Sequence, residues 1–153
     1  VICYLDTSAL VKLYVREPGS EMVRKLVDEA AVVATSKVAY PEARAALARG
    51  RREGLLREKE YRQVVVALQN DWPRYLAVEV SDSLVWLAGE LAEKHHLRGF
   101  DSIHLASAIT LKTQVKNRVV VACWDLRLWE ALRAMELEVV PEIRPSLEGS
   151  GPS

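Results

Sequence analysis

Four carboxylates in this sequence stand where chemistry could be done. Asp6 ends the apolar run VICYL and turns straight into Thr7-Ser8-Ala9, and Asp125 follows the run VVVACW in nearly the same way. Asp101 opens the segment DSIHLASA, and Glu42 lies within TSKVAYPEARAAL. If the four meet in a partly desolvated cleft, their charges repel, so either their pKa values rise or a cation sits among them. A pocket of side-chain oxygens, with no His or Cys ligands, suits Mg²⁺ or Mn²⁺, which keep water ligands and also bind phosphate oxygens. Such ions lower the pKa of a bound water, align it with a phosphorus and neutralise the leaving oxygen. The chemistry is then phosphodiester hydrolysis, with the acids chiefly as ligands and one of them free to accept a proton.

Each acid also has a plainer reading. Asp is a preferred helix N-cap, worth about 0.5 to 2 kcal/mol, and Asp6, Asp101 and Asp125 all precede helical patterns. Glu42 in an early helical turn would complement the helix dipole. Thr7 and Ser8 beside Asp6, and Ser102 beside Asp101, are neutral caps of equal quality. Capping alone does not require the charge.

The elements that must position these acids follow from the apolar pattern. Short runs rich in β-branched residues predict strands over 2–5, 31–34, 75–80, 119–122 and 138–140. Between them, helical spacing predicts helices over 19–29, from Ser36 toward Arg52, over 56–70, from Ser81 or Asp82 to about Lys94, from Asp101 or Ser102 onward, and after Asp125. Residues 95–100 read as a turn, with His95 and His96 exposed. Strands alternating with helices imply a parallel sheet covered on both faces, the α/β class. In such a sheet ligands gather beyond the carboxyl ends of the strands, at the switch in strand order. Asp6 and Asp125 belong to that edge, and the helices carrying Asp101 and Glu42 start beside it.

Half of the 153 residues are hydrophobic, enough for one core, so the expected organisation is a single domain over 1–145 and a disordered polar tail over 146–153. No run approaches the roughly 18 apolar residues of a membrane span, and the apolar start lacks the charged region of a signal peptide, which makes a cytoplasmic protein the default. Cys3 and Cys123 are too few for a disulfide framework and read as buried, inert thiols.

With 21 basic and 21 acidic residues, bulk charge does not announce a nucleic-acid binder. The stretch RAALARGRREGLLREKEYR nevertheless holds seven Lys or Arg against three Glu. Such a run is more often a solvated helix face than a binding patch. Arg44, Arg49, Arg51 and Arg52 all trail Glu42 along its helix, and Arg44 and Arg49 are the candidates for phosphates beside the reacting bond, Arg44 first. His104, three residues after Asp101, could face the pocket but reads rather as a half-buried structural histidine. Trp86 and Trp129 read as packing residues, and Trp124 beside Asp125 as the aromatic best placed to stack on a base.

Four blocks, LDTSALVKLY, TSKVAYPEARAAL, GFDSIHLASA and VVACWDLRLWEAL, resemble the PIN-domain ribonucleases in order and spacing, and within them the VapC-type toxins of toxin-antitoxin pairs. The resemblance implies a PIN-like α/β fold with a central parallel sheet of about five short strands covered by helices on both faces. It implies catalytic and metal-ligating roles for Asp6, Glu42, Asp101 and Asp125, Mg²⁺ or Mn²⁺ as cofactor, and endonucleolytic cleavage of RNA. Ser8 matches a small polar residue that supports the first acid in the family. Two departures matter: Cys123 stands where the family often has Thr or Ser, and Pro41 is positioned to bend the helix and shift Glu42. The family also implies a homodimer, to which the stripe with Val11, Leu13, Tyr14 and Val15 would contribute, and a cognate antitoxin protein whose Arg or Lys enters the acidic cleft.

Two rivals compete with this reading. One is a non-catalytic PIN-like RNA-binding or scaffolding module; retention of four acids argues against it, because a purely structural cluster would gain from neutralisation. The other is an aspartyl-phosphate phosphatase of the haloacid dehalogenase type. That type needs a second Asp where this chain has Ser8.

Overall fold

The computed structural model of the chain describes residues 1–146, so the tail expected over 146–153 lies, Ser146 apart, outside the described residues. Five parallel strands, β1 (Ile2–Leu5), β2 (Val32–Ser36), β3 (Leu76–Val78), β4 (Val119–Ala122) and β5 (Glu138–Val140), form one sheet in the order β3-β2-β1-β4-β5. The α/β class and the parallel sheet are as expected. Every residue of the inner strands β1 and β4 is buried, which is why they read as unbroken apolar runs rather than as alternation. The chain builds outward from β1 to β2 and β3, then returns to lay β4 on the other side of β1. The strand order therefore switches between β1 and β4, and a cleft opens beyond their carboxyl ends.

Among the described residues, seven α-helices cover the sheet: α1 (Thr7–Tyr14), α2 (Ser20–Glu29), α3 (Ala39–Arg52), α4 (Glu58–Asp71), α5 (Asp82–His95), α6 (Gly99–Gln114) and α7 (Leu126–Ala134). The two-residue period of β1 assigns its side chains to two layers. Cys3 and Leu5 pack with α1 to α4, while Ile2 and Tyr4 pack with α5, α6 and α7. The stripe of Val11, Leu13, Tyr14 and Val15 is half-buried against the α1–α4 core, so this chain covers much of it itself.

Boundaries differ from the sequence expectation where polar groups find partners. β2 runs on through Thr35 and Ser36, because the buried Thr35 hydroxyl donates to the Leu5 carbonyl at 2.7 Å and Ser36 pairs with Val78. β3 is shorter than 75–80, since the Tyr75 N–H is held by Trp72 in a 3₁₀ turn. Pro41 falls in the first turn of α3, where a missing N–H has no intrahelical carbonyl to meet, and the helix continues to Arg52. Gly99 and Phe100 belong to α6 rather than to the preceding turn, with Arg98 at the N-cap. Trp86 is 78% exposed, contrary to its reading as a packing residue: Leu84, Ala88 and Leu91 form the buried stripe of α5, and Trp86 lies two residues, or about 200°, around the helix from Leu84. Trp129 is buried as expected, its indole N–H donating to the Pro141 carbonyl at 2.8 Å, and both cysteines are buried and free.

Candidate active site

Asp6 is held at the mouth of β1 from several directions. It is the N-cap of α1, accepting the Ala9 N–H at 2.9 Å, and the Ser8 hydroxyl lies 2.7 and 2.9 Å from its two oxygens. Ser8 in turn accepts the Trp124 N–H at 3.0 Å, which ties the end of β1 to the segment after β4. With only 3% of the residue exposed, burial pushes the Asp6 carboxyl up, against the opposing pull of His104, the Ala9 N–H and Ser8. Asp125 is the N-cap of α7 and accepts the Leu128 N–H at 3.0 Å through Oδ1.

Capping and site membership thus coincide at Asp6 and Asp125. Asp101 is different. It stands in the first turn of α6, three residues past the N-cap, so its charge complements the helix dipole without capping. Burial, then Asp125, then Asp6 push its carboxyl up to about 6, and the exposed Arg98 at 3.9 Å offsets little of that.

These three acids line one cleft together with Thr7, Ser8, Val11, Glu17, Ala46 and His104. Glu42 stands at its edge, bordering one neighbouring cleft with Asp101, Arg98 and Phe100 and another with Thr7, Arg49, Arg52 and Phe100. The Thr7 hydroxyl donates to Glu42 Oε1 at 2.5 Å, and His104 Nε2 lies 3.1 Å from the same oxygen. Burial raises the Glu42 carboxyl, but the bonds from His104 and Thr7 outweigh it and hold the group below its ordinary range.

Among the described residues, no three His, Cys, Asp or Glu side chains are already grouped to hold a metal ion. The acids share a cleft without closing into a ligand cage. Their chemistry still fits a hydrated divalent cation. All are oxygen donors, Asp6, Asp101 and Asp125 line the cleft with Glu42 at its edge, and the charges of Asp125 and Asp6, which add to burial in raising Asp101, are what a cation would offset. The buried Cys123 thiol, pushed far above its ordinary range by burial, donates to the Asp125 carbonyl at 3.4 Å and brings no charge to the site.

Other candidates fall elsewhere. Arg44 donates to the Tyr40 hydroxyl at 2.9 Å and does not line the acidic cleft or the clefts beside Glu42. Helix geometry explains this: Arg44 is about 200° around α3 from Glu42, whereas Arg49, seven residues on, returns to the same face. Arg52 lies there too. Trp124 is 7% exposed, with Lys12 over its ring at 5.2 Å, so it offers no platform for a base. The exposed aromatic beside the acids is Phe100. His104 is 2% exposed rather than half-buried, and it bonds to Glu42. Its position three residues after Asp101 was the one sequence signal for that. Thr7 carried only its place next to Asp6.

Comparison with known proteins gives concordant results. A model of the PIN domain matches residues 3–115. Ribonuclease VapC45 of Mycobacterium tuberculosis (strain CDC 1551 / Oshkosh) is 38% identical over 140 residues, covering 92% of this chain and 95% of the relative. Among solved structures, Mycobacterium tuberculosis VapC20, a Sarcin-Ricin loop cleaving toxin, superposes with a TM-score of 0.63 at 19% identity, covering 94% of this chain and 99% of that one. A chain of a toxin-antitoxin complex from Klebsiella pneumoniae superposes with a TM-score of 0.61 at 14% identity, covering 93% of this chain and 98% of that one. At these identities the solved structures establish a shared fold.

Proposed function

Because the chain belongs to the PIN domain family, we propose that it is a metal-dependent endoribonuclease and the toxin of a toxin-antitoxin pair. The observation that carries this reading is the lining of a single cleft by Asp6, Asp101 and Asp125 at the β1–β4 switch. The names of the relative and of the structural neighbours support the substrate class and the partner.

Asp6, Asp101 and Asp125, with Glu42 at the edge, would hold Mg²⁺ or Mn²⁺. When bound, the ion supplies a water of lowered pKa and charge to offset the leaving oxygen. Ser8 keeps the Asp6 carboxylate turned toward the cleft through its single hydroxyl proton, shared between the two carboxylate oxygens. One of the acids would receive the water's proton on its carboxylate, and Asp101, whose side chain is 22% exposed, is our candidate. Arg49 and Arg52, on the Glu42 face of α3, would take the flanking phosphates. An antitoxin that presents Arg or Lys to the acids would compete with both ion and substrate. A homodimer and a cytoplasmic location complete the proposal; among the described residues no helix is long and apolar enough to cross a membrane.

The test is cleavage of single-stranded RNA by the purified chain, free of any partner, with and without Mg²⁺ or Mn²⁺. Cutting that EDTA abolishes, and that Asp6→Asn or Asp101→Asn reduces by about a hundredfold or more with the circular dichroism spectrum unchanged, is the expected result. Full activity in either variant contradicts the site. RNA binding with no cleavage and no metal uptake favours the non-catalytic module.

A further inference from the structure

We infer that His104, braced by Tyr4, is a positioning residue that fixes the Glu42 carboxylate at the edge of the acidic cleft; the inference rests on the nuclease reading above. The imidazole is almost wholly enclosed, at 2% exposure, and both of its nitrogens are engaged. Nδ1 lies 2.8 Å from the Tyr4 hydroxyl, Nε2 lies 3.1 Å from Glu42 Oε1 and 3.0 Å from the Thr7 hydroxyl oxygen. The donors form a consistent set. The Thr7 hydroxyl donates to Glu42, so its oxygen is left to accept from Nε2. With the Tyr4 hydroxyl donating to Nδ1, the one ring proton sits on Nε2 and is shared between the Thr7 hydroxyl oxygen and Glu42 Oε1, which lie at 3.0 and 3.1 Å. Tyr4 also packs edge-on against the ring, with centroids 5.9 Å apart, so the imidazole plane is fixed by packing as well as by bonding.

Two features separate this from a core histidine that has merely been satisfied. The four participants come from four elements, β1, α1, α3 and α6, and Tyr4 reaches into the site from the opposite layer of the sheet to that of Glu42. Packing alone would not need that bridge. In addition, Thr7 and His104 both engage Oε1, and neither bond uses Oε2, the second oxygen of the carboxylate. A glutamate has three side-chain torsions to order, and two donors on one oxygen hold them before any ligand arrives.

The experiment compares wild type with His104→Phe, His104→Gln, Tyr4→Phe, Glu42→Gln and His104→Phe in a Glu42→Gln background. It measures kcat and KM on single-stranded RNA, Mn²⁺ affinity by calorimetry, and thermal melting. Partners that orient metal ligands are worth about 10- to 100-fold in affinity or activity. His104→Phe is therefore expected to lower kcat and Mn²⁺ affinity by about that factor, with the RNA KM within about twofold. His104→Gln, which returns a donor near the Nε2 position, recovers most of the loss, and His104→Phe adds nothing once Glu42 is Gln. If His104→Phe fails to fold, the comparison passes to Tyr4→Phe, expected to lose several-fold in both quantities while His104→Gln stays near wild type. Wild-type kcat and Mn²⁺ affinity in the folded Phe variants, or losses that add fully to those of Glu42→Gln, would overturn the inference while leaving the nuclease reading intact. A wild type that neither cuts RNA nor binds Mn²⁺ overturns both.

Discussion

Asp101 shows at the scale of one residue what the clustered acids cost. Its carboxyl is held at about 6, against an ordinary value of 3.8, by burial and by the charges of Asp125 and Asp6. A raised pKa means that the folded chain binds this proton more tightly than the unfolded chain does. The corresponding stability is complete below about pH 4 and is lost as pH rises through about 6. Glu42, whose pKa is lowered, contributes in the opposite sense, losing stability as pH falls. For the metal-free protein, the melting temperature contributed by this site should therefore fall between pH 4.5 and 7. Asp101→Asn should flatten that part of the profile, and Mn²⁺ should restore wild-type stability at pH 7. A metal-free profile in which wild type and Asp101→Asn run parallel would contradict the raised carboxyl at Asp101. That Asp6, Asp101 and Asp125 would fall at one edge of the sheet could be read from the sequence, because each stands at the end of an apolar run or the start of a helix. The histidine could not: a lone His on a helix does not disclose whether its ring meets a carboxylate or only side chains of the core. That depends on Tyr4 and Glu42, 100 and 62 residues away.

At the scale of elements, the loop between α1 and α2 shapes one wall of the cleft. Gly19 has a φ of +94°, and a Cβ there would meet the Trp124 ring at 2.8 Å and Lys12 at 3.1 Å. Lys12, almost fully buried, pairs with Glu17 at 3.0 Å, and Glu17 itself lines the acidic cleft. Gly19→Ala thus combines left-handed strain with displacement of the residue next to Asp125, and should cost about 1 to 3 kcal/mol. Differential scanning calorimetry should show the loss, with RNA cleavage falling alongside it; an unchanged melting temperature would mean the ring yields freely. Strand and helix order could be read from apolar periodicity, since β1 and β4 are continuous hydrophobic runs. The ends of elements could not. Thr35 extends β2 through a side-chain bond to another strand and Ser36 by pairing with Val78, and Gly99 looks like a breaker although α6 begins there, with Arg98 at the N-cap position and no side-chain capping bond. The faces of α3 and α5 were misjudged at Arg44 and Trp86 for one reason: about 200° of helix separates each from the residue that defines the relevant face.

The whole molecule carries no net charge, so any hold on a polyanion must come from how its charges are arranged. Arg49 and Arg52 share a cleft with Glu42 and Phe100, directly beside the acids. Each phosphate contact to a single strand contributes about −0.7 to the slope of log affinity against log salt. The double variant Arg49→Ala/Arg52→Ala should flatten that slope by about 1.4 and raise KM more than it lowers kcat. An unchanged slope in fluorescence anisotropy would place the RNA elsewhere. The topology explains why distant sequence blocks act together: β4 returns to the side of β1, so the residues following both strands open onto one edge, and α6 and α3 begin beside it. The most direct test of that convergence is anomalous diffraction from crystals of the chain soaked in MnCl₂. A manganese peak in the cleft, bounded by the Asp6, Asp101 and Asp125 carboxylates, is the predicted result; no peak there, or ions only at the outer surface, would contradict the account.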